Sequence, residues 1–435
     1  MSQPEPLSGS AYLRLVALGA VIGIPAAFLA ALFLAVVHDL EHWLWDSLPS
    51  ALGHSAPPWY LVLLLPPAGA CVVLLARRLL PGDGGHPPLE GIGGGATRVS
   101  HAPGIALAAI GTLSFGAVLG PEAPLIALGS VVGMVVALSG AFGQREQTVL
   151  ATAGSFSAIS ALFGGPIVGG MMMVESGVAM GSALLPVLIP GFVAAAIGYV
   201  IFVGLGTWGG LHAQSLAVPD LPPYNGTHVY DLLVAIVVGV GAALIVALVR
   251  RAASDIAGPR FDRLGLPTLL VGGGLAVGLL AQTADWLGAN SQDVLFSGQA
   301  GVPSLAAADS TKIVLIVLVA KAAGYAICLG CGFRGGPVFP AIFLGIALAE
   351  LTHVWFDVSP TLAVAVGAAA GMAAGTRLLI TSTLFASLLV GTAGLDAVPA
   401  AVLAACAAWI TAQALDRRVA ARRAPEAGLP VAEPG

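Results

Sequence analysis

Apolar residues come in long runs, separated by short polar or Gly/Pro-rich breaks. The first run, Leu15 to Val37, is long enough to cross a bilayer as one helix. Others lie near 59–76, 103–119, 125–142, 147–163, 166–206, 231–249, 267–287, 313–329, 341–356, 361–374 and 378–415. Several are too short for a full crossing, and others are long enough for two helices. That mixture predicts tilted and broken helices. A closed β-barrel would need segments of alternating polarity, which are absent. The predicted class is an all-α, polytopic integral membrane protein.

Composition narrows the function classes. The 435 residues are 57% hydrophobic and 9% charged, with a mean hydropathy of +0.95. A soluble domain carries about 25% charged residues, so a soluble enzyme and a disordered chain are both excluded. The 58 Gly and 30 Pro argue against a coiled coil. The net charge of −5 is spread thinly and gives no sign of a nucleic-acid partner. Cys71, Cys328, Cys331 and Cys406 lie in apolar runs, so no disulfide framework is implied. Cys328 and Cys331 form a CxxC that reads as helix packing, since no second pair completes a zinc site. No metal or cofactor is expected. The N-terminus lacks the charged start of a signal peptide.

Basic residues set the expected orientation. Arg14 precedes the first span, and Arg77, Arg78 and Arg98 bracket the loop after the second. Arg250, Arg251, Arg260 and Arg263 surround a later loop, and Arg417, Arg418, Arg422 and Arg423 begin the tail. Segments 38–58 and 205–230 hold no Lys or Arg. Both termini are therefore expected in the cytoplasm of a plasma-membrane protein, with those two segments outside.

A repeat of short motifs is the most informative feature. Gly120-Pro121-Glu122-Ala123-Pro124 opens one GPxxPxIxLG stretch, and Gly336-Pro337-Val338-Phe339-Pro340 opens another, 216 residues on. The pairs Ala153-Gly154 and Ala370-Gly371 recur at nearly the same offset. Two structural repeats follow, 12–206 and 229–415. A tail 1–11, an extracytoplasmic loop 207–228 and a cytoplasmic tail 416–435 complete the division. Gly/Pro-interrupted apolar segments at matching places in two halves point to a transport site.

Proline suits the start of a helix, because its missing N–H has no intrahelical partner there. Each GPxxP therefore marks a helix start inside the apolar region. Such an end offers unpaired N–H groups and a partial positive charge. Two ends meeting near the midplane would hold an anion without Lys or Arg. The loop Asp83-Gly84-Gly85-His86-Pro87-Pro88 is a third candidate. Glu122 stands where the second copy has Val338. A carboxylate inside an apolar segment is a functional candidate, and at a helix start it can occupy the anion site as a tethered competitor. The plainer alternative is a Glu that only satisfies backbone donors.

These residues resemble the CLC family of chloride channels and proton/chloride exchangers, over about 80–415. The family's G-(K/R)-E-G-P motif is similar to Gly120-Pro121-Glu122-Ala123-Pro124. Its G-x-F-x-P motif is similar to Gly336-Pro337-Val338-Phe339-Pro340. The stretch from Gly165 to Glu175 resembles the small-residue segment that ends in an acidic pair. The resemblance implies a CLC-type inverted repeat in a homodimer, and chloride or another small anion as substrate, with protons as a second species. It assigns gating to Glu122, proton transfer to Glu175, and anion contacts to Gly84, Gly85, His86, Pro87, Gly120, Pro121, Ala123, Gly336, Pro337, Val338 and Phe339.

The chain also departs from the family pattern. The G-S-G-I-P loop falls on Gly84-Gly85-His86-Pro87, without a serine. The tyrosine expected shortly before Pro399 is missing from Leu395-Asp396-Ala397-Val398. Pro121, not a cation, precedes Glu122, and the acidic pair reads Glu175-Ser176. Weak or absent proton coupling is therefore expected, and fluoride or nitrate becomes an alternative to chloride.

Other residues keep two readings. His86 either adds a donor to the site or caps loop backbone, and Glu90 reads as structural beside Arg98. Lys321 either draws anions or pairs along its helix. Arg334 either attracts anions or fixes its loop, and Arg377 reads as a loop anchor. Met171, Met172 and Met173 read as packing. A membrane enzyme or scaffold is the rival class, but HExxH, GxSxG and metal clusters are all missing.

Overall fold

The computed structural model describes residues 9–177, 184–208 and 216–423. Of the expected tails and outer loop, residues 1–8, 209–215 and 424–435 fall outside the described residues, as do the side chains of Arg422 and Arg423. The described chain is helical, with one isolated β-bridge. Nine segments among the described residues are long and apolar enough to cross a membrane, making this a multi-pass membrane protein.

Fourteen principal helices follow one another. They are α1 (Gly9–His42), α2 (Trp59–Leu79), α3 (Ala102–Leu113), α4 (Glu122–Ser139), α5 (Gln144–Leu162), α6 (Pro166–Ser176) and α7 (Leu185–Trp208). The second half has α8 (Val229–Ile256), α9 (Gly265–Trp286), α10 (Thr311–Gly330), α11 (Val338–Phe356), α12 (Pro360–Thr376), α13 (Ile380–Val390) and α14 (Val398–Arg423). The run 103–119 gives only α3, which stops at Leu113 and leads into a turn at 114–116. The runs 166–206 and 378–415 each split into two helices, the second across a turn at Gly391–Ala397.

Small residues let these helices approach closely, as lipid-embedded packing requires. A Cβ on Gly129 would strike the carbonyl of Gly154, joining α4 to α5. A Cβ on Gly345 would strike the carbonyl of Gly367, joining α11 to α12 in the same way. Large side chains such as Val237, Leu248 and Val319 instead point outward, each at least 66% exposed, as a lipid-facing surface needs.

Three contacts fix the helix directions. The Arg14 guanidinium lies 4.8 Å from the Phe142 ring, so α4 ends at the face where α1 begins. A Cβ on Gly274 would lie 2.7 Å from the Pro66 carbonyl, and one on Gly278 2.6 Å from the Val62 carbonyl. Thus α9 runs antiparallel to α2 and ends at the opposite face. Trp355 Nε1 donates to Thr311 Oγ1 at 3.0 Å, bringing the end of α11 to that same opposite face. Helices α4 and α11 therefore leave the middle of the protein in opposite directions.

Candidate functional site

The two GPxxP motifs meet. Gly120 N–H donates to the Gly336 carbonyl at 2.7 Å, and Gly336 N–H donates to the Gly120 carbonyl at 2.5 Å. This antiparallel bridge pairs equivalent residues of the two repeats. A local two-fold axis must pass between them, which is the signature of an inverted repeat. Pro121 and Pro337 then cap α4 and α11 with nearly the same backbone geometry, φ −83° and −91° with ψ 0°. Both are followed by a second proline, Pro124 or Pro340, in the first turn, where no N–H partner is lost.

The carboxylate of Glu122 sits between these helix starts. Its side chain is fully buried. Oε1 accepts the Phe339 N–H at 2.7 Å, and the amides of Val338 and of Glu122 itself also face the carboxylate. Oε2 has no partner. The first residue of one repeat's helix thus puts its charge on the helix start of the other, where N–H groups and the helix dipole favour an anion. Glycine is required around it. A Cβ on Gly336 would overlap Glu122 Oε2, and one on Gly120 would lie 2.5 Å from Oε1.

Aromatic residues hold Phe339 in place. Its ring stacks on Phe163 at 5.5 Å and meets Phe385 edge-on at 6.0 Å. Tyr325 donates its hydroxyl to the Pro337 carbonyl at 2.6 Å. On the other motif, Val118 N–H donates to Cys328 Sγ at 3.2 Å. Cys328 therefore packs against the backbone that leads to Gly120, consistent with a packing role for the CxxC. Phe163, Phe385 and Tyr325 look like ordinary core in the sequence. The only available signal for Tyr325 was its place four residues after Lys321 in the run before the second motif.

The loop at 83–87 has a different character from the two motifs. Asp83, Gly84 and Gly85 all have positive φ, and only the three-residue 3-10 turn Pro88–Glu90 follows. It therefore does not open a helix as the other motifs do. Asp83 holds it, accepting from Arg77 Nε at 2.7 Å and pairing with Arg334. Burial alone would raise the Asp83 carboxyl, but the bonds and charges of Arg77 and Arg334 win, and it is held below the ordinary carboxylate range. Arg334 also donates through Nε to the Asp83 carbonyl at 2.9 Å, which is the loop-fixing reading. A Cβ on Gly84 would meet Ala108, Arg77 and Arg334, so the loop lies beside Arg334, two residues before Gly336. His86 packs against Gly93, its Nε2 buried without a partner.

Glu175 caps a helix. Its carboxylate accepts four hydrogen bonds at the start of α13, from the N–H groups of Leu379, Ile380 and Thr381 and from the Thr381 hydroxyl, at 2.5–2.9 Å. Glu175→Ala is expected to lower stability by about 2 kcal/mol, the upper range for a lost helix cap. Glu175→Gln should recover part of the loss. Thermal unfolding of the detergent-solubilised protein measures both.

Two cavities approach the site from the face opposite the start of α1. One, of about 530 Å³, reaches Pro121 and Leu119 and carries Asp39, Glu41 and Asp293 on its walls. The other, of about 340 Å³, is mostly apolar and reaches Phe339 and Phe385. Both share Leu216 and Gly298–Ala300 as walls.

A family described as "Voltage gated chloride channel" matches residues 68–413. The chain belongs to that family. Curated relatives are described as ion-transport proteins. It is 28% identical over 346 residues to the "Putative ion-transport protein YfeO" of Escherichia fergusonii, spanning 76% of this chain and 77% of that one. The same identity and coverage hold for the protein of that description from Escherichia coli strain SMS-3-5. Among solved structures, a slow cyanobacterial Cl⁻/H⁺ antiporter superposes with a TM-score of 0.74 at 19% identity, covering 95% of this chain and 96% of the other. A CLC-type fluoride/proton antiporter gives 0.70 at 19% identity, covering 94% and 98%. The voltage-gated chloride channel fold thus spans nearly the whole chain.

Proposed function

We propose that this protein moves a small anion, chloride first, across a lipid bilayer as a channel or exchanger, and that Glu122 gates the path. One observation carries the reading. A fully buried carboxylate accepts the Phe339 N–H where two helix starts are paired back to back. Backbone dipoles can hold an anion there, and among the described residues no Lys or Arg bonds the Glu122 carboxylate, which suits a permeating ion. When Glu122 is charged it fills the site, and when it is protonated its hold on the N–H groups weakens. The two halves, 12–206 and 229–415, would each supply one of the helix starts. Family membership and the outward apolar side chains support a homodimer in the plasma membrane, and the clustering of Arg near the termini and between α8 and α9 supports cytoplasmic termini. No enzymatic role is proposed.

Proton coupling should be weak or absent. Ser176 replaces the second acid of the pair, and Glu175 already spends both oxygens on α13. Fluoride or nitrate is a second reading, favoured by the missing serine and tyrosine. The test is a flux assay on proteoliposomes that records anion and proton together. Chloride movement with little proton movement is the expected result, and a competition series among halides and nitrate ranks the anions. Failure to move any of them contradicts the proposal.

A further inference from the structure

Lys321 is fully buried near the middle of α10, where its ammonium bonds backbone carbonyls and has the Asp293 carboxylate within electrostatic reach. Its ammonium donates to the carbonyls of Asp293 at 2.9 Å and Leu295 at 2.8 Å, with Val294 at 3.4 Å. It also lies 4.4 Å from the centre of the Phe343 ring. Those carbonyls belong to the segment that ends the short helix Ser291–Val294 and runs on to Gly298. Gly298 rests on the same support. It has φ +93°, and a Cβ there would lie 2.6 Å from Phe343 Cδ2 and 2.8 Å from Lys321 Cε. Gly298 is also a wall of both cavities that lead toward Glu122 and Phe339.

We infer that Lys321 is a positioning residue that makes the entry cavity on this face permissive for an anion. This rests on the anion-transport reading above. Two physical effects act together. Backbone carbonyls carry partial negative charge, and an anion path lined by them repels its own ion. By drawing the carbonyls of residues 293–295 toward itself, Lys321 turns those dipoles out of the cavity. Its positive charge lies directly behind the wall, where low polarity leaves the field poorly screened. It offsets part of the negative potential from Asp39, Glu41 and Asp293, which line the larger cavity. The ammonium never needs to touch the anion, so it does not trap it.

The chemistry predicts a sided effect. Gly298, which rests on Lys321, lines two cavities on the face opposite the start of α1, so loss of Lys321 should weaken anion entry from that face. Entry from the opposite face should be affected far less. A purely structural lysine would change protein yield or melting, without favouring one side.

The test uses the full-length protein in planar bilayers or oriented proteoliposomes, with chloride added to one side at a time. Wild type, Lys321→Met, Lys321→Arg and Gly298→Ala are compared for flux, half-saturating chloride on each side, and thermal unfolding. Lys321→Met is expected to raise half-saturating chloride about tenfold on the cavity side, as loss of a focusing charge does. It should stay within about twofold on the other side. Lys321→Arg keeps the charge and should recover most of the affinity. Gly298→Ala lifts the same segment off Lys321 and Phe343, and should show the same sidedness if Lys321→Met does not fold. A folded Lys321→Met or Gly298→Ala with unchanged affinity, or with equal changes on both sides, overturns the inference. A wild type that moves no anion overturns the transport reading instead.

Discussion

Glu122→Gln is expected to free the anion flux from pH. In the wild type the charged carboxylate accepts the Phe339 N–H at 2.7 Å and fills the place between the two helix starts. Protonation removes the charge that holds it there. Flux should therefore rise as the solution is acidified, and fall as it is made alkaline. Above the carboxyl's own pKa, the protonated fraction grows about tenfold for each unit the pH falls. Glutamine is neutral at every pH and nearly the same shape. Its flux at neutral pH should match the acid-side wild-type level, and the slope with pH should vanish. Glu122→Ala should behave alike, with the site left open. Chloride efflux from proteoliposomes across a pH series measures all three proteins. A Glu122→Gln protein that keeps the wild-type slope would place the pH-sensing group elsewhere.

Gly336→Ala should do the reverse and close the path. Its methyl would overlap Glu122 Oε2. If that oxygen marks the place of a passing anion, the methyl competes with the anion as well as with the carboxylate. Overfilling a packed site costs about 1–3 kcal/mol, which lowers anion occupancy about 5- to 150-fold. Flux should drop by a similar factor. The double variant Glu122→Ala/Gly336→Ala separates the causes. If the methyl blocks the anion itself, removing the carboxylate does not rescue flux. Recovery of flux in the double variant would mean that Gly336 only makes room for Glu122. Gly120→Ala, which also crowds Oε1, should share the defect in milder form.

How far the sequence foretold this site depends on the range of each interaction. Apolar run lengths marked the helices well, including the split of 166–206 into α6 and α7. The paired GPxxP motifs marked both helix starts, because glycine and two prolines at fixed spacing suit little else inside an apolar segment. The 216-residue offset became an antiparallel Gly120–Gly336 bridge, which no local pattern could predict but a two-fold repeat requires. The loop at Gly84 leads into a short 3-10 turn and not a long helix, since Gly/Pro-rich chain can open a helix or simply turn. Asp83, gripped by Arg77 and Arg334, makes it turn. Glu175 looked like a proton carrier by its place in a motif. Its four partners lie 204–206 residues away, and only the fold brings them within reach. The aromatic support of Phe339 and the hold of Lys321 on residues 293–295 were hidden for the same reason. Each joins segments remote in sequence through residues that look like ordinary core.

The central claim is that the Glu122 carboxylate occupies a place built for an anion. An experimental structure of Glu122→Gln grown or frozen in bromide tests it most directly, because bromide is located by its anomalous scattering. The expected result is a bromide between the Gly120–Gly336 bridge and the start of α11, within hydrogen-bond distance of the Phe339 N–H. Bromide bound only elsewhere, with that place empty in the variant, would contradict the account.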